Sequence, residues 1–196
     1  MARRSKFQNA WLKAYERIPQ EFQHLKWQQK KYEIEKFFEY VQSKNLHRGT
    51  CIEIGRYHGA STVGLCELFD EVISIDILKF NNEVFKEPQN SVILVGDSKI
   101  FGDVIKTHAE FPITCLFIDG DHSYEGVKKD YELYYNLVKY NGIIVFHDIV
   151  DSEYHRSQNC YVSQLWNELE GEKIEIIDEN DKTWGGIGIL VKHEKK

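Results

Sequence analysis

Two acidic, glycine-containing turns and one His-Asp pair carry the chemistry that this sequence offers. The first turn is Cys51-Ile-Glu53-Ile-Gly55-Arg-Tyr-His-Gly59-Ala-Ser61-Thr62. An apolar run ends in an acid, two glycines permit a tight turn, and a helix opens at the second glycine. Asp76 follows Gly55 by 21 residues and closes a second apolar run, Val72–Ile75. Such a layout suits a nucleoside cofactor: the glycines let backbone approach it, the helix N-terminus faces its anionic end, and the distant acid accepts the ribose hydroxyls. A dinucleotide site wants G-x-G-x-x-G, whereas Tyr57 and His58 stand between these glycines. An NAD-dependent oxidoreductase is therefore disfavoured.

The second turn is Asp119-Gly-Asp121-His122, after the apolar run Ile113–Ile118, and the pair His147-Asp148 ends a further run that starts at Gly142. If both runs are neighbouring strands, about 4.8 Å apart, the two groups converge. Carboxylates and imidazole on one spot make a divalent metal site. His122 titrates near neutrality and can act as a base, with Asp121 as the competing choice. The bland reading of His122 is a residue of a helix N-terminus beside Ser123. His58 is a substrate-side candidate, and His24, His47, His108, His155 and His193 read as surface residues.

The elements that would place these residues alternate from residue 50 onward. Strands are expected at Thr50–Ile54, Val72–Ile77, Ser91–Val95, Ile113–Ile118 and Gly142–His147. Helices are expected at Ala60–Leu68, Ser98–His108, Tyr124–Lys139 and Val162–Leu169. Lys173–Ile177 and Gly186–Val191 read as antiparallel strands around a loop. Unbroken apolar runs suit parallel strands buried on both faces. Most of the chemically active residues then fall at the carboxyl ends of strands, where doubly wound sheets bind ligands. Upstream, Phe7, Trp11, Tyr15 and Ile18 recur at helical spacing before Pro19, and Ile34, Phe37, Phe38 and Val41 mark a second amphipathic helix.

Taken in order, Glu53-Ile-Gly55, Asp76, Gly96-Asp97-Ser98, Phe117-Ile-Asp119-Gly-Asp121-His122 and Phe146-His147-Asp148 resemble the motifs of class I S-adenosylmethionine (SAM)-dependent methyltransferases. The resemblance spans about Thr50 to Val191. It is nearest to small metal-assisted O-methyltransferases of the catechol, caffeoyl-CoA and macrocin kind. It implies an α/β fold with a Rossmann-like seven-stranded sheet, order 3-2-1-4-5-7-6, last strand antiparallel and helices on both faces. It also implies a domain at 49–196 behind a helical lid at 1–48. The implied cofactor residues are Glu53, Gly55, Gly59, Ser61, Thr62, Asp76, Gly96, Asp97, Ser98 and Asp119. Among these, Gly55 and Gly59 would flank the methionine portion, Ser61 and Thr62 would donate to its carboxylate, and Asp97 and Ser98 would read adenine. Asp119, His147 and Asp148 would hold a divalent metal, magnesium or manganese. His147 departs from the family's usual acid, which either shifts the preference toward manganese, iron or zinc or leaves the site without a metal. The implied reaction is O-methylation of a small hydroxylated metabolite, sugar or phenol-like, with a non-catalytic SAM- or nucleoside-binding module as the alternative.

Composition agrees with a single core. The chain has 196 residues, 42% of them hydrophobic and 29% charged. No apolar run reaches membrane-spanning length and no signal-peptide core follows the basic start, so a cytoplasmic protein is expected. Net charge is −6, but it is unevenly spread: residues 1–48 hold 11 Lys/Arg against 5 Asp/Glu, and the remainder 14 against 26. An acidic main domain disfavours a nucleic-acid substrate, as does the lack of an Asn/Asp-Pro-Pro-aromatic motif after the fourth strand. The expected partner is thus a small molecule, with neither nucleic acid nor membrane; oligomeric state stays open, a homodimer included. Cys51, Cys66, Cys115 and Cys160 show no metal or redox spacing.

Overall fold

The structure, a computed structural model, describes residues 28–79 and 87–194. The helix expected around Phe7, Trp11, Tyr15 and Ile18 lies outside the described residues. Helix α1 (Lys31–Ser43) precedes β1 (Thr50–Ile54), α2 (Ala60–Leu68), β2 (Glu71–Asp76), β3 (Ser91–Val95), α3 (Gly102–His108) and β4 (Ile113–Ile118). Then come α4 (Tyr124–Tyr134), β5 (Ile143–His147), α5 (Glu153–Ser157), α6 (Val162–Glu168), β6 (Glu172–Ile176) and β7 (Ile187–Val191). One sheet runs β3-β2-β1-β4-β5-β7-β6. β7 is antiparallel to both β5 and β6, and the other pairs are parallel.

Strand pleat explains the unbroken apolar runs. Cys51, Cys115, Phe117, Ile143 and Val145 face one core layer, closed by Phe37 and Val41 of α1 and Leu65 of α2. Their neighbours Ile52, Leu116, Ile118, Ile144 and Phe146 face the other, closed by Ile105 of α3, Val127 and Tyr134 of α4 and Trp166 of α6. Each central strand is thus covered on both faces.

Two expected helices are broken into shorter pieces. Ser98–His108 divides into a 3₁₀ turn, Ser98–Ile100, and α3, because the Asp97 side chain accepts the Lys99 N–H and fixes a separate turn. Tyr124–Lys139 stops at Tyr134 and continues as 3₁₀ turn Tyr135–Leu137. There the buried Lys192 ammonium takes the carbonyls of Tyr135 and Val138 at 2.9 and 2.7 Å, so those carbonyls need no further helical turn. Helix α5 was not expected; Ser152 starts it by accepting the His155 N–H. Among the described residues no helix is long and apolar enough to cross a membrane.

Candidate active site

The strand order reverses between the parallel strands β1 and β4, and the carboxyl ends of these strands open onto one cavity of about 790 Å³. Gly55 makes the first contact between its two halves. It has φ 91°, its N–H donates to the Ile75 carbonyl at 2.9 Å, and a Cβ there would stand 2.0 Å from the Asp119 carbonyl oxygen. The turn after β1 is thus laid directly on the turn after β4.

On the cofactor side, Asp76 Oδ2 accepts the Tyr57 N–H at 2.7 Å and Oδ1 the Leu78 N–H at 3.0 Å. Each carboxylate oxygen keeps further acceptor capacity toward the cavity. Gly96, Asp97 and Ser98 also line it. Ser98 Oγ donates to Asp130 Oδ1 at 2.6 Å, and the backbone N–H of Lys99 holds the Asp97 carboxyl below the usual range.

Glu53 and Thr62 are placed differently from their expected roles. Both are wholly buried, and neither lines the cavity. Glu53 Oε2 accepts from Thr62 Oγ1 at 2.6 Å and from Ser74 Oγ at 2.5 Å. Burial raises the Glu53 carboxyl against the pull of the surrounding hydroxyls. The pair ties α2 to β1 and β2 beneath the cavity floor, so the Thr62 hydroxyl is spent within the protein. Ser61 lines the cavity, and its hydroxyl also bears on the Glu53 carboxyl. Gly59, with φ 87°, is the N-cap of α2.

On the catalytic side the two expected clusters do converge. His147 Nδ1 lies 2.9 Å from Asp119 Oδ1 and 3.4 Å from Asp148 Oδ1. His122 bridges the same acids, Nε2 to Asp119 Oδ1 and Nδ1 to Asp148 Oδ2, both at 3.1 Å. Gln29 Nε2 donates to Asp119 Oδ2. Burial would raise both acids, but the charge of His147 and the bonds from the histidines outweigh it, so Asp119 and Asp148 stay below the usual carboxylate range. Burial likewise works against a charged His122, and its bonds to Asp119 and Asp148 prevail and lift it well above the ordinary imidazole value. Asp121 is exposed, lines the cavity, and gives one oxygen to the Ser123 N–H at 3.0 Å.

Asp119, His147 and Asp148 fit a divalent cation on three counts. Their ligand atoms lie within 4.8 Å of one another. Asp148 Oδ1 is buried without a hydrogen-bond partner, as is His147 Nε2. Asp148 is also held at φ 64°, a backbone state that costs a residue with a side chain about 1–3 kcal/mol and collects at functional sites.

Several lining residues were not among the expected site residues, and four of them flank the catalytic cluster or its wall. His155, read from sequence as a surface residue, is 3% exposed. Its Nδ1 donates to the Val150 carbonyl at 2.6 Å and its Nε2 accepts the Gly185 N–H at 3.2 Å, a pairing that sets its tautomer and brings Nε2 to 3.3 Å from Asp148 Oδ1. Cys160 is buried, and a ligand atom of His122, Asp148 and Cys160 can also meet within 4.8 Å. Both lie in the segment after β5, whose closeness to the His147-Asp148 pair was the available signal. Gln29 and Trp184 complete the wall, and no local pattern marks either one.

Comparison with known proteins agrees with this geometry. Residues 52–149, half of the chain, match the family described as methyltransferase domain. The chain belongs to that family. A 61-residue stretch, 31% of this chain, is 54% identical to uncharacterized protein R132 of Acanthamoeba polyphaga mimivirus and covers 28% of that relative. Among solved structures, MycE methyltransferase from the mycinamycin biosynthetic pathway, in complex with Mg, SAH and mycinamycin VI, superposes with TM-score 0.64 at 12% identity. That match covers 98% of this chain and 56% of MycE, so the chain spans about half of that protein's length. An O-methyltransferase from Bacillus cereus in complex with SAH superposes with TM-score 0.56 at 14% identity, over 98% of this chain and 93% of the other.

Proposed function

We propose that this chain transfers a methyl group from SAM to a hydroxyl oxygen of a small acceptor, with a divalent cation held by Asp119, His147 and Asp148. One observation carries the reading: a single cavity joins Asp76, Asp97 and Ser98, which suit an adenosine, to the Asp119–His147–Asp148 cluster. Magnesium and SAH in the MycE structure, and SAH in the Bacillus cereus O-methyltransferase, support the same pairing of ligands here. When bound, SAM supplies an electrophilic methyl group and the cation lowers the pKa of a neighbouring hydroxyl.

The chain's own residues do the rest. Asp76 orients the ribose, and Asp97 and Ser98 meet the adenine edge. Ser61 donates toward the amino-acid end. Asp121, exposed at the cavity wall, takes the acceptor's proton, whereas both ring nitrogens of His122 are engaged by Asp119 and Asp148. Gln29, Tyr154, Gln158 and Trp184 wall the acceptor side and exclude bulk water. An imidazole ligand favours manganese or a later metal over magnesium. The acidic main domain supports a small molecule over nucleic acid as acceptor.

The test is transfer of labelled methyl from SAM to a panel of sugar and phenol hydroxyls, before and after exhaustive chelation. Transfer that falls on chelation and returns with manganese is expected. SAM binding without turnover on any acceptor would favour a binding module instead.

A further inference from the structure

Helix α2 begins in an unusual electrostatic setting. Its N-cap is Gly59, which has no side chain to cap the helix, and its first turn holds no acid. The amides of that turn form the positive end of the helix dipole. Next to them lies another positive group, Arg56, which is 5% exposed. A Cβ on Gly59 would stand 2.7 Å from Arg56 Nη2 and 2.9 Å from Cζ, so the guanidinium sits against the N-cap itself.

A buried guanidinium beside a positive helix end is costly unless anions meet both. One carboxylate is present: Glu87 Oε1 takes Arg56 Nη2 at 2.6 Å, from a side chain that is 49% exposed. Arg56 Nε is buried with no hydrogen-bond partner. The guanidinium fork matches a carboxylate's two oxygens, and here part of that fork stays open. Arg56, Ala60 and Ser61 all line the cavity, at its turn after β1. Tyr57, next to Arg56, gives its N–H to Asp76. The open fork therefore lies one residue from the amide that holds the ribose-binding acid.

We propose that Arg56, together with the first turn of α2, binds the α-carboxylate at the amino-acid end of SAM and makes the site select cofactors that carry it. The assignment rests on the methyltransferase reading above. That carboxylate is the cofactor's one anionic group, and the turn that would receive it also gives the Tyr57 N–H to Asp76. Ser61 shares the group, and Glu87 keeps its place on Nη2.

The experiment compares two ligands that share an adenosine thioether. S-adenosylhomocysteine carries the α-carboxylate; 5′-methylthioadenosine lacks the amino-acid end. Calorimetry measures both on the wild type, Arg56→Ala and Arg56→Lys. Arg56→Ala is expected to weaken S-adenosylhomocysteine about 10–100-fold, the worth of charge-assisted hydrogen bonds, and to leave methylthioadenosine within about twofold, unchanged to the precision of such a measurement. Arg56→Lys, which keeps the charge without the fork, is expected to recover part of the loss. Retained methylthioadenosine binding also shows that the variant is folded. Equal weakening of both ligands would mean that Arg56 only supports the turn, and unchanged S-adenosylhomocysteine affinity would mean that it does not touch the carboxylate; either overturns the assignment. A wild-type protein that binds neither ligand refutes the methyltransferase reading itself, a separate failure.

Discussion

Replacing Gly55 by alanine should disturb the cofactor turn and the catalytic cluster together. The added Cβ would lie 2.0 Å from the Asp119 carbonyl oxygen and 2.4 Å from its carbon, where ordinary contact begins at 3.4 Å. Both neighbours are backbone, so no side chain can swing aside. The two turns must part by about 1.4 Å, and the turn that moves carries Asp119. The native φ of 91° adds about 1–2 kcal/mol for any residue with a Cβ, and overpacking adds about 1–3 kcal/mol. A loss of about 2–5 kcal/mol in unfolding free energy follows. Turnover should fall more sharply, because a displacement of about 1 Å costs on the order of 10²-fold in a positioned reaction. Urea unfolding monitored by tryptophan fluorescence gives the first quantity, read as a shifted midpoint at constant slope. Methyl transfer at saturating SAM gives the second. A Gly55→Ala protein with wild-type midpoint and turnover would show that the turns do not press on each other as described.

Three further outcomes are expected. Asp76→Ala should weaken SAM by about 1–3 kcal/mol, the cost of leaving ribose hydroxyls unpaired; an unchanged dissociation constant by calorimetry would remove Asp76 from the site. Asp148→Ala should abolish both activity and its dependence on added manganese, while SAM affinity is retained; activity that survives chelation in the wild type would end the metal role. Glu33→Gln should cost about 1–3 kcal/mol of stability, because Glu33 Oε2 accepts the Gly186 N–H at 2.9 Å and Oε1 the Asp178 N–H at 3.2 Å, and an amide would turn a donor toward one of them. Chemical denaturation of the two proteins side by side decides it.

Much of the strand framework was legible because its signal is local. Continuous apolar runs such as Ile113–Ile118 are dictated by burial on both faces, and β1, β3 and β4 fall on the expected residues. The convergence of Asp119 with His147 and Asp148 followed once strands four and five were taken as neighbours, as they are. What escaped depends on partners distant in sequence. Lys192 ends α4 by reaching back to Tyr135 and Val138, and no pattern within 124–139 reveals that. His155 sits in a polar stretch that reads as surface, yet backbone groups of Val150 and Gly185 enclose it. The surroundings of His122 escaped for a related reason: two acids from different strand ends bracket it, and a sequence shows each one but not the bracket.

The bonds around His155 and Glu33 also bear on how this protein can change. Beyond the last β5–β7 pair, Ile149 and Val150 donate their N–H groups to the carbonyls of Gly186 and Gly185, and His155 and Glu33 fasten the same two glycines from the side. Glu33 also fastens Asp178 at the other end of the loop. Residues 179–184 span these two anchored points, with Trp184 at the rim of the cavity and one further tie between them, where Lys30 donates to the Asp181 carbonyl, pairs with its carboxylate and lies over the Trp184 ring. Lengthening a loop between fixed ends costs only about 0.6 kcal/mol per doubling. Insertions there can remodel the acceptor wall while the anchors keep Asp148 and its neighbours in place. An engineer grafting a new acceptor has in this segment a place to vary, provided Asp181 keeps its tie to Lys30, whose neighbour Gln29 holds Asp119.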